Sequence, residues 1–274
     1  MEHLHIKFTN LTFLKLGGSL ITDKSRPHTV RSQVLARLAN EIHQAMKVNP
    51  DLHLVLGHGS GSFGHVPAKK FGTREGVKTK NEWQGFLDVW REAATLNQHV
   101  IKAVSGAGLP AISIPPSGSI FASDGDISSW NLSPLTSALE VGLLPVIYGD
   151  VVFDKIRGGT ILSTEDLFTF LASQLTPSRI LLAGREPGVW SDYPESKKLL
   201  SDISAYNMTN IKPFLEGSTD TDVTGGMASK VQQSLALVQK TPGLEISIFS
   251  GDDPGAVQRA LLGAREGTII HAHD

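Results

Sequence analysis

LTFLKLGGSLITDK, residues 11–24, carries the reading that decides the fold class. Leu11 to Leu16 is a buried-strand pattern interrupted only by Thr12 and Lys15, and it stops at the turn Gly17, Gly18, Ser19. Beyond it, Ser32 to Lys47 places Val34, Leu35, Leu38, Ile42 and Met46 at helical spacing. Strand, glycine turn and helix in that order open an α/β fold.

The same pattern repeats along the chain. Leu52 to Leu56 reads as a strand running into GHGSGSFGH at 57–65, and a helix follows from Asn81 to Val104 with a bulky face of Trp83, Phe86, Leu87 and Trp90. Ala111 to Ile114 is a short strand halted by two prolines, Pro134 to Val141 a helix, and LLPVIY at 143–148 a strand ending at Gly149 and Asp150. An amphipathic helix at 164–172 precedes the strand Arg179 to Ala183. The remainder predicts a polar connection near 191–202 and a helix near Asn207 to Glu216. A glycine turn at 225–226 leads to a helix from Met227 to Gln239, a strand from Glu245 to Phe249, a helix from Pro254 to Leu262 and a strand from Thr268 to Ile270.

Such alternation predicts one α/β domain over 1–274, an open αβα sandwich on a mostly parallel central sheet, with ligands at the carboxyl ends of the strands. Residues 1–175 and 176–274 are expected to form two lobes of that unit.

Composition narrows the function classes. The 274 residues are 40% hydrophobic, enough for a large core. Lys and Arg number 25 against 27 Asp and Glu, a formal net charge of −2, so no nucleic-acid partner is advertised and any anion must meet local positive charge. The absence of cysteine excludes disulfides, thiolate metal sites and cysteine nucleophiles. The N-terminal stretch is too polar for a secretory signal and no apolar run is long enough to span a bilayer, so a cytoplasmic protein without membrane association is expected.

Three glycine-rich elements carry the candidate chemistry. Gly17, Gly18 and Ser19 can bring backbone N–H groups close to phosphate oxygens, with Lys15 on the preceding strand and Lys24 beyond; a tight strand-to-helix turn with an edge lysine is the alternative. Neither the Walker spacing nor the GxGxxG spacing is present. Gly57, Gly59, Gly61 and Gly64 form a second close-approach loop with Ser60, Ser62 and, at its far end, His65. His58 reads as an ordinary core or surface histidine, and no cysteine or carboxylate accompanies these histidines at ligand spacing, so no metal-ligating set is expected there. Asp220, Asp222 and TGGMASK at 224–230, with Gly226 at a helix start and Lys230 a turn in, suit a magnesium-bound polyphosphate; taken alone, the motif is better read as a capped helix with an exposed lysine. Three such turns on separate strand ends point to phosphoryl transfer, which needs positioning and positive charge more than covalent chemistry.

With KLGGS at 15–19, FGH at 63–65, GD at 149–150 and DVTGGM at 222–227, the chain resembles the amino acid kinase superfamily over nearly its whole length, and within it the isopentenyl phosphate kinases. The resemblance implies the amino acid kinase fold, usually a homodimer, and transfer of the γ-phosphoryl of ATP, with Mg2+, to isopentenyl phosphate, with dimethylallyl phosphate as a related acceptor. By position it implies that Lys15 and Lys24 hold the transferring group, with Lys24 the transition-state stabiliser, and that Asp150 organises lysines. Lys230, Gly17, Gly18, Ser19, Gly61 and Gly226 fall at nucleotide positions, and Ser60, His65 and Gly149 at acceptor-phosphate positions. His65 is the residue that separates phosphate and phosphonate kinases from carboxylate kinases. Trp83 and Phe86 suit a wall for a short prenyl tail, ordinary helix packing being the other reading. Ser60 stands where the family usually has glycine, and GREPG at 184–188 replaces the family's acidic stretch near the nucleotide. A fosfomycin-type kinase of another small phosphate or phosphonate, or a nucleotide-binding protein of the same fold that transfers nothing, are the alternatives.

Overall fold

The computed structural model describes residues 8–192, 195–207 and 226–272, without the side chain of His65. Eight strands form the central sheet: β1 (Leu11–Leu16), β2 (His53–His58), β3 (Ala111–Ser113), β6 (Leu144–Tyr148), β9 (Arg179–Gly184), β10 (Asp202–Ile203), β11 (Glu245–Ser250) and β12 (Thr268–Ile270). Their order across the sheet is β10, β12, β11, β9, β1, β2, β6, β3. Only β11 and β12 run antiparallel; the other neighbours are parallel. The expected mostly parallel sheet is therefore present, with β1 near its middle.

Burial on both faces explains the near-continuous apolar runs of these strands. Leu11 and Phe13 of β1 pack on one face with helices α6 (Thr164–Leu175) and α7 (Gly226–Lys240), through residues such as Phe168, Leu171, Val231 and Val238. Leu14 and Leu16 pack on the opposite face with α2 (Ser32–Val48), α4 (Lys80–Gly106) and α8 (Ala256–Leu261). Side chains along a strand alternate between faces, so Lys15 shares the face of Leu11 and Phe13. This puts its ammonium on the side where α6 and α7 begin.

A second sheet lies outside the expected architecture: β5 (Asp126–Trp130), β4 (Ile120–Ser123), β7 (Asp150–Asp154) and β8 (Gly158–Leu162), in that order. Asp124 (φ 54°) and Gly125 (φ 89°) make the β4–β5 turn, the positive-φ pair that tight hairpins require. Asp154 ties the two hairpins together by accepting the backbone N–H of Asp124, Gly125, Ile156 and Arg157 at 2.8–3.1 Å.

The long helix α4 starts with a reciprocal cap: Thr79 accepts the Glu82 N–H, and Glu82 accepts the Thr79 N–H at 2.8 Å. It begins and ends within two residues of the span the sequence predicts. The helix expected near 207–216 lies outside the described residues beyond Asn207, as do the acidic residues Asp220 and Asp222. Among the described residues, no helix is long and apolar enough to cross a membrane.

Candidate active site

A cavity of about 720 Å³ opens at the carboxyl ends of the parallel strands. Lys15, Gly17, Gly18 and Ser19 line it from β1 and the short helix α1 (Gly18–Ile21) that follows. Gly59, Ser60, Gly61 and Gly64 enter after β2 and Gly149 after β6, on one side of β1; Gly184, Arg185, Trp190 and Asp252 enter after β9 and β11, on the other. Gly226 and Lys230 come from the first turn of α7, and Lys24 from the excursion after α1. Of the charged side chains on the wall, Lys15, Lys24, Arg74, Arg185 and Lys230 are cationic and Glu165, Glu186 and Asp252 anionic. The balance favours an anion.

The two glycine turns are built against each other. A Cβ on Gly18 would collide with the backbone N of Gly61, and Gly61 (φ 56°) would drive one into the Thr22 hydroxyl. Thr22 Oγ1 donates to the Gly18 carbonyl at 2.7 Å and accepts the Ser62 N–H at 2.8 Å, so one hydroxyl locks both loops. These glycines therefore serve loop-to-loop contact as well as bringing backbone into the cavity. At the far end of the second loop, Glu92 of α4 accepts the Gly64 N–H and pairs with His28 at 3.0 Å.

Lys15 is ion-paired to Glu165, the second residue of α6; the two side chains are 12% and 13% exposed. Burial pushes the Glu165 carboxyl up, but Lys15, and after it Lys230, outweigh that and hold it below its ordinary value. One carboxylate thus stands between two lysines of the cavity. The Ser163–Asp166 cap places it there: Ser163 Oγ accepts the Asp166 N–H at 3.1 Å and Asp166 accepts the Ser163 N–H at 2.8 Å.

Asp150 does not occupy that position. It is fully buried, absent from the cavity wall, accepts the Val151 N–H through Oδ1 at 2.8 Å and has Oδ2 without a hydrogen-bond partner. Burial raises its carboxyl to about 7, only partly offset by Ser117 beside it and by the Val151 N–H. The acid that stands against Lys15 is Glu165, not Asp150. The reason is local: β7 turns the Asp150 carboxyl toward Ser117, whereas the α6 N-terminus faces the Lys15 side of the sheet.

Trp83 and Phe86 also miss the cavity. The apolar part of the wall is Ala68, Val89, Ile161 and Leu162 on the 1–175 side and Leu182, Val189, Met227 and Ile248 on the other, and Phe86 packs with Ala68, Val89 and Val151 one layer behind the first group, with Trp83 and Ile161 against that cluster. Leu87 and Trp90 are exposed, so the bulky face of α4 is split. His58 is a core residue, stacked on Tyr148 at 5.3 Å with its Nε2 3.3 Å from Asn97 Oδ1; burial lowers it to about 4. The side chain of His65 lies outside the described residues, as do Thr224 and Gly225.

The model of the amino acid kinase family matches residues 10–250. An isopentenyl phosphate kinase of Methanocaldococcus jannaschii is 36% identical over 266 residues, covering 95% of this chain and 98% of its own. The chain belongs to the amino acid kinase family, among its isopentenyl phosphate kinases. The isopentenyl phosphate kinase of Methanothermobacter thermautotrophicus is likewise 36% identical, over 92% of this chain and 96% of its own. A solved isopentenyl phosphate kinase structure superposes with a TM-score of 0.79 at 31% identity, covering 95% of this chain and 99% of that one.

Two charged residues of the cavity wall, Glu165 and Arg74, were not singled out by the sequence of this member of the isopentenyl phosphate kinases. Ser163, Thr164, Glu165 and Asp166 after a strand form a capping pattern, which is the signal that would have put Glu165 at a helix start on the ligand side. Arg74, in a loop rich in charge, carries no such signal.

Proposed function

We propose that this protein transfers the γ-phosphoryl group of ATP to isopentenyl phosphate, releasing isopentenyl diphosphate and ADP. The observation that carries the reading is the Lys15–Glu165–Lys230 arrangement inside the cavity where the turns at 17–18, 59–61 and 226 meet. Acceptor and nucleotide are both anions. At 4 Å two unit charges repel by about 1 kcal/mol in water and about 4 kcal/mol at an effective dielectric near 20, so cations must line the line of transfer. Lys15, Lys24 and Lys230 supply them, Lys24 at the group in flight, and Glu165 keeps the first and last oriented before substrate arrives.

The nucleotide lies over the 176–274 half with its phosphates on Gly17, Gly18, Ser19, Gly61, Gly226 and Lys230. The acceptor lies over the 1–175 half with its phosphate near Ser60, His65 and Gly149. Its prenyl tail runs to Ala68, Val89 and Ile161, where each buried CH₂ contributes about 0.8 kcal/mol; Phe86 and Trp83 stiffen that wall from behind. Dimethylallyl phosphate has the same charge and a similar tail, and is a second acceptor in this reading.

Among the described residues no three His, Asp or Glu side chains gather as a metal cage. The cavity carboxylates are already engaged, Glu165 with Lys15, Asp252 with Arg31 and Arg185, and Glu186 with the Trp190 N–H. Magnesium entering with the nucleotide would supply further positive charge to the transferring group, and Asp220 and Asp222, outside the described residues, are the acids the sequence offers to hold it. The protein is taken to act as a homodimer in the cytoplasm.

Purified protein given ATP, magnesium and isopentenyl phosphate should form isopentenyl diphosphate with matching ADP release, seen by phosphorus NMR. ATP turnover onto a phosphonate or a carboxylate, with isopentenyl phosphate left unreacted, would overturn the assignment. Nucleotide binding without turnover of any acceptor would favour the non-catalytic alternative.

A further inference from the structure

Arg74 lies on the turn after α3 (His65–Phe71) and reaches the cavity wall beside Gly64, Ala68, Ser163 and Thr164. Its position is over-determined. The Arg74 carbonyl accepts the Thr160 hydroxyl at 2.8 Å and Arg157 Nη1 at 3.3 Å, which pins its backbone to β8 and the turn before it. Its Nη2 donates to Asp166 Oδ2 at 3.2 Å, the same oxygen that accepts the Ser163 N–H. The cap of α6 thus fixes one edge of the guanidinium.

The other edge is unused. Nη1 is buried and has no hydrogen-bond partner. A buried guanidinium nitrogen with both N–H groups unsatisfied is costly unless a ligand completes it, and this one belongs to a wall residue of the cavity. Guanidinium groups suit phosphate oxygens, to which they donate strong charge-assisted bonds in a fixed plane. Asp166, Arg157 and Thr160, which hold Arg74, all belong to the 1–175 half, and the start of α6 that it pairs with is tied to the end of β2 by Thr164 Oγ1 donating to the His58 carbonyl at 2.6 Å.

We propose that Arg74 is a further binding residue for the acceptor, its Nη1 edge donating to the acceptor's phosphate while Asp166 holds the Nη2 edge. The inference rests on the phosphate acceptor of the proposed function. It adds a cation held by the 1–175 half of the wall, and it makes Asp166 a positioning residue.

Isopentenyl phosphate binding by calorimetry and turnover by ADP release, on the wild-type chain and on Arg74→Gln, Arg74→Lys and Asp166→Asn, test it. Arg74→Gln should weaken isopentenyl phosphate binding and raise its KM at least about tenfold, with the KM for ATP within about twofold. Arg74→Lys should fall between it and the wild type, and Asp166→Asn, which keeps the cap oxygen, should raise the acceptor KM by a few-fold at unchanged ATP KM. The same acceptor affinity in Arg74→Gln as in the wild type, or an equal loss for ATP and acceptor, would sink the proposal; should Arg74→Gln not fold, the Arg74→Lys and Asp166→Asn constants decide it alone. A wild-type chain that neither binds nor phosphorylates isopentenyl phosphate overturns the functional reading instead.

Discussion

Glu165 is where the chemistry of single residues is most exposed. A carboxylate this buried would ordinarily be driven toward its neutral form, yet Lys15 and Lys230 keep it ionised, and it in turn keeps two ammonium groups apart and aimed. Glu165→Gln preserves the shape and removes the charge, leaving both lysines to find other partners. Losing a charge-assisted interaction of about 1.5–3 kcal/mol predicts a fall in kcat of about 10–100-fold at saturating substrates, with the fold intact by circular dichroism. A kcat within twofold of wild type would mean that Lys15 needs no organiser. Glycine turns single out Lys15 and Lys230 in the sequence, whereas Asp150 is assigned to them through the family resemblance. Which of two strand-end acids meets a lysine depends on the face each element presents, and the alternation that sends Lys15 toward α6 is a tertiary fact.

Among the elements, those read from strong periodicity are where the sequence put them: β1 and β12 match residue for residue, and α2, α4 and α7 shift by no more than two residues at either end. The small sheet of β4, β5, β7 and β8 was not legible, because its strands are short and two of them, β4 and β5, are half exposed or more. Phe121 and Phe153 face solvent while Asp126 and Asp154 sit at strand ends, which blurs the period-two pattern. The Asp124–Gly125 pair was the one local signal for it. The sheet matters because β8 runs directly into the Ser163 cap and Glu165. Asp154, with four backbone N–H donors, is its keystone, and those bonds hold its carboxyl below the ordinary value although burial pushes the other way. Asp154→Ala leaves the four donors of two turns to water, and a loss of about 2–3 kcal/mol in urea unfolding is expected. Asp154→Asn, which keeps the oxygen that serves three of the donors, should lose distinctly less; equal losses would show that the turns do not depend on that oxygen.

At the scale of the whole molecule, one continuous eight-stranded sheet joins the two halves that flank the cavity, and Glu41 of α2 reinforces the join by accepting the Gly255 and Val257 N–H groups at the start of α8. Two buried groups make opposite contributions to how the stability of this unit depends on pH. His58 is held at about 4 by burial, while in the unfolded chain it titrates near 6.5. Between those values the unfolded chain carries more protons, so its contribution rises with pH and is complete above about 6.5. Asp150 does the reverse: raised to about 7 in the fold and titrating near 4 when unfolded, it makes the folded chain the better proton binder between them, so stability falls as pH rises and the penalty is full above about 7. The windows overlap from about pH 4 to 6.5, and there the two slopes oppose each other. Replacing Asp150 by Asn removes the falling arm alone. Urea midpoints measured at pH 4.5, 6 and 8 should then rise with pH in Asp150→Asn to a plateau above about 6.5, and the variant should exceed the wild type at pH 8 by on the order of a few kcal/mol while differing little at pH 4.5. Parallel curves for the two proteins would show that the Asp150 carboxyl titrates alike in both states. Because Asp150 stands off the cavity wall, turnover in the variant at pH 8 should stay within about threefold of wild type, whereas a collapse of kcat would return Asp150 to the catalytic machinery.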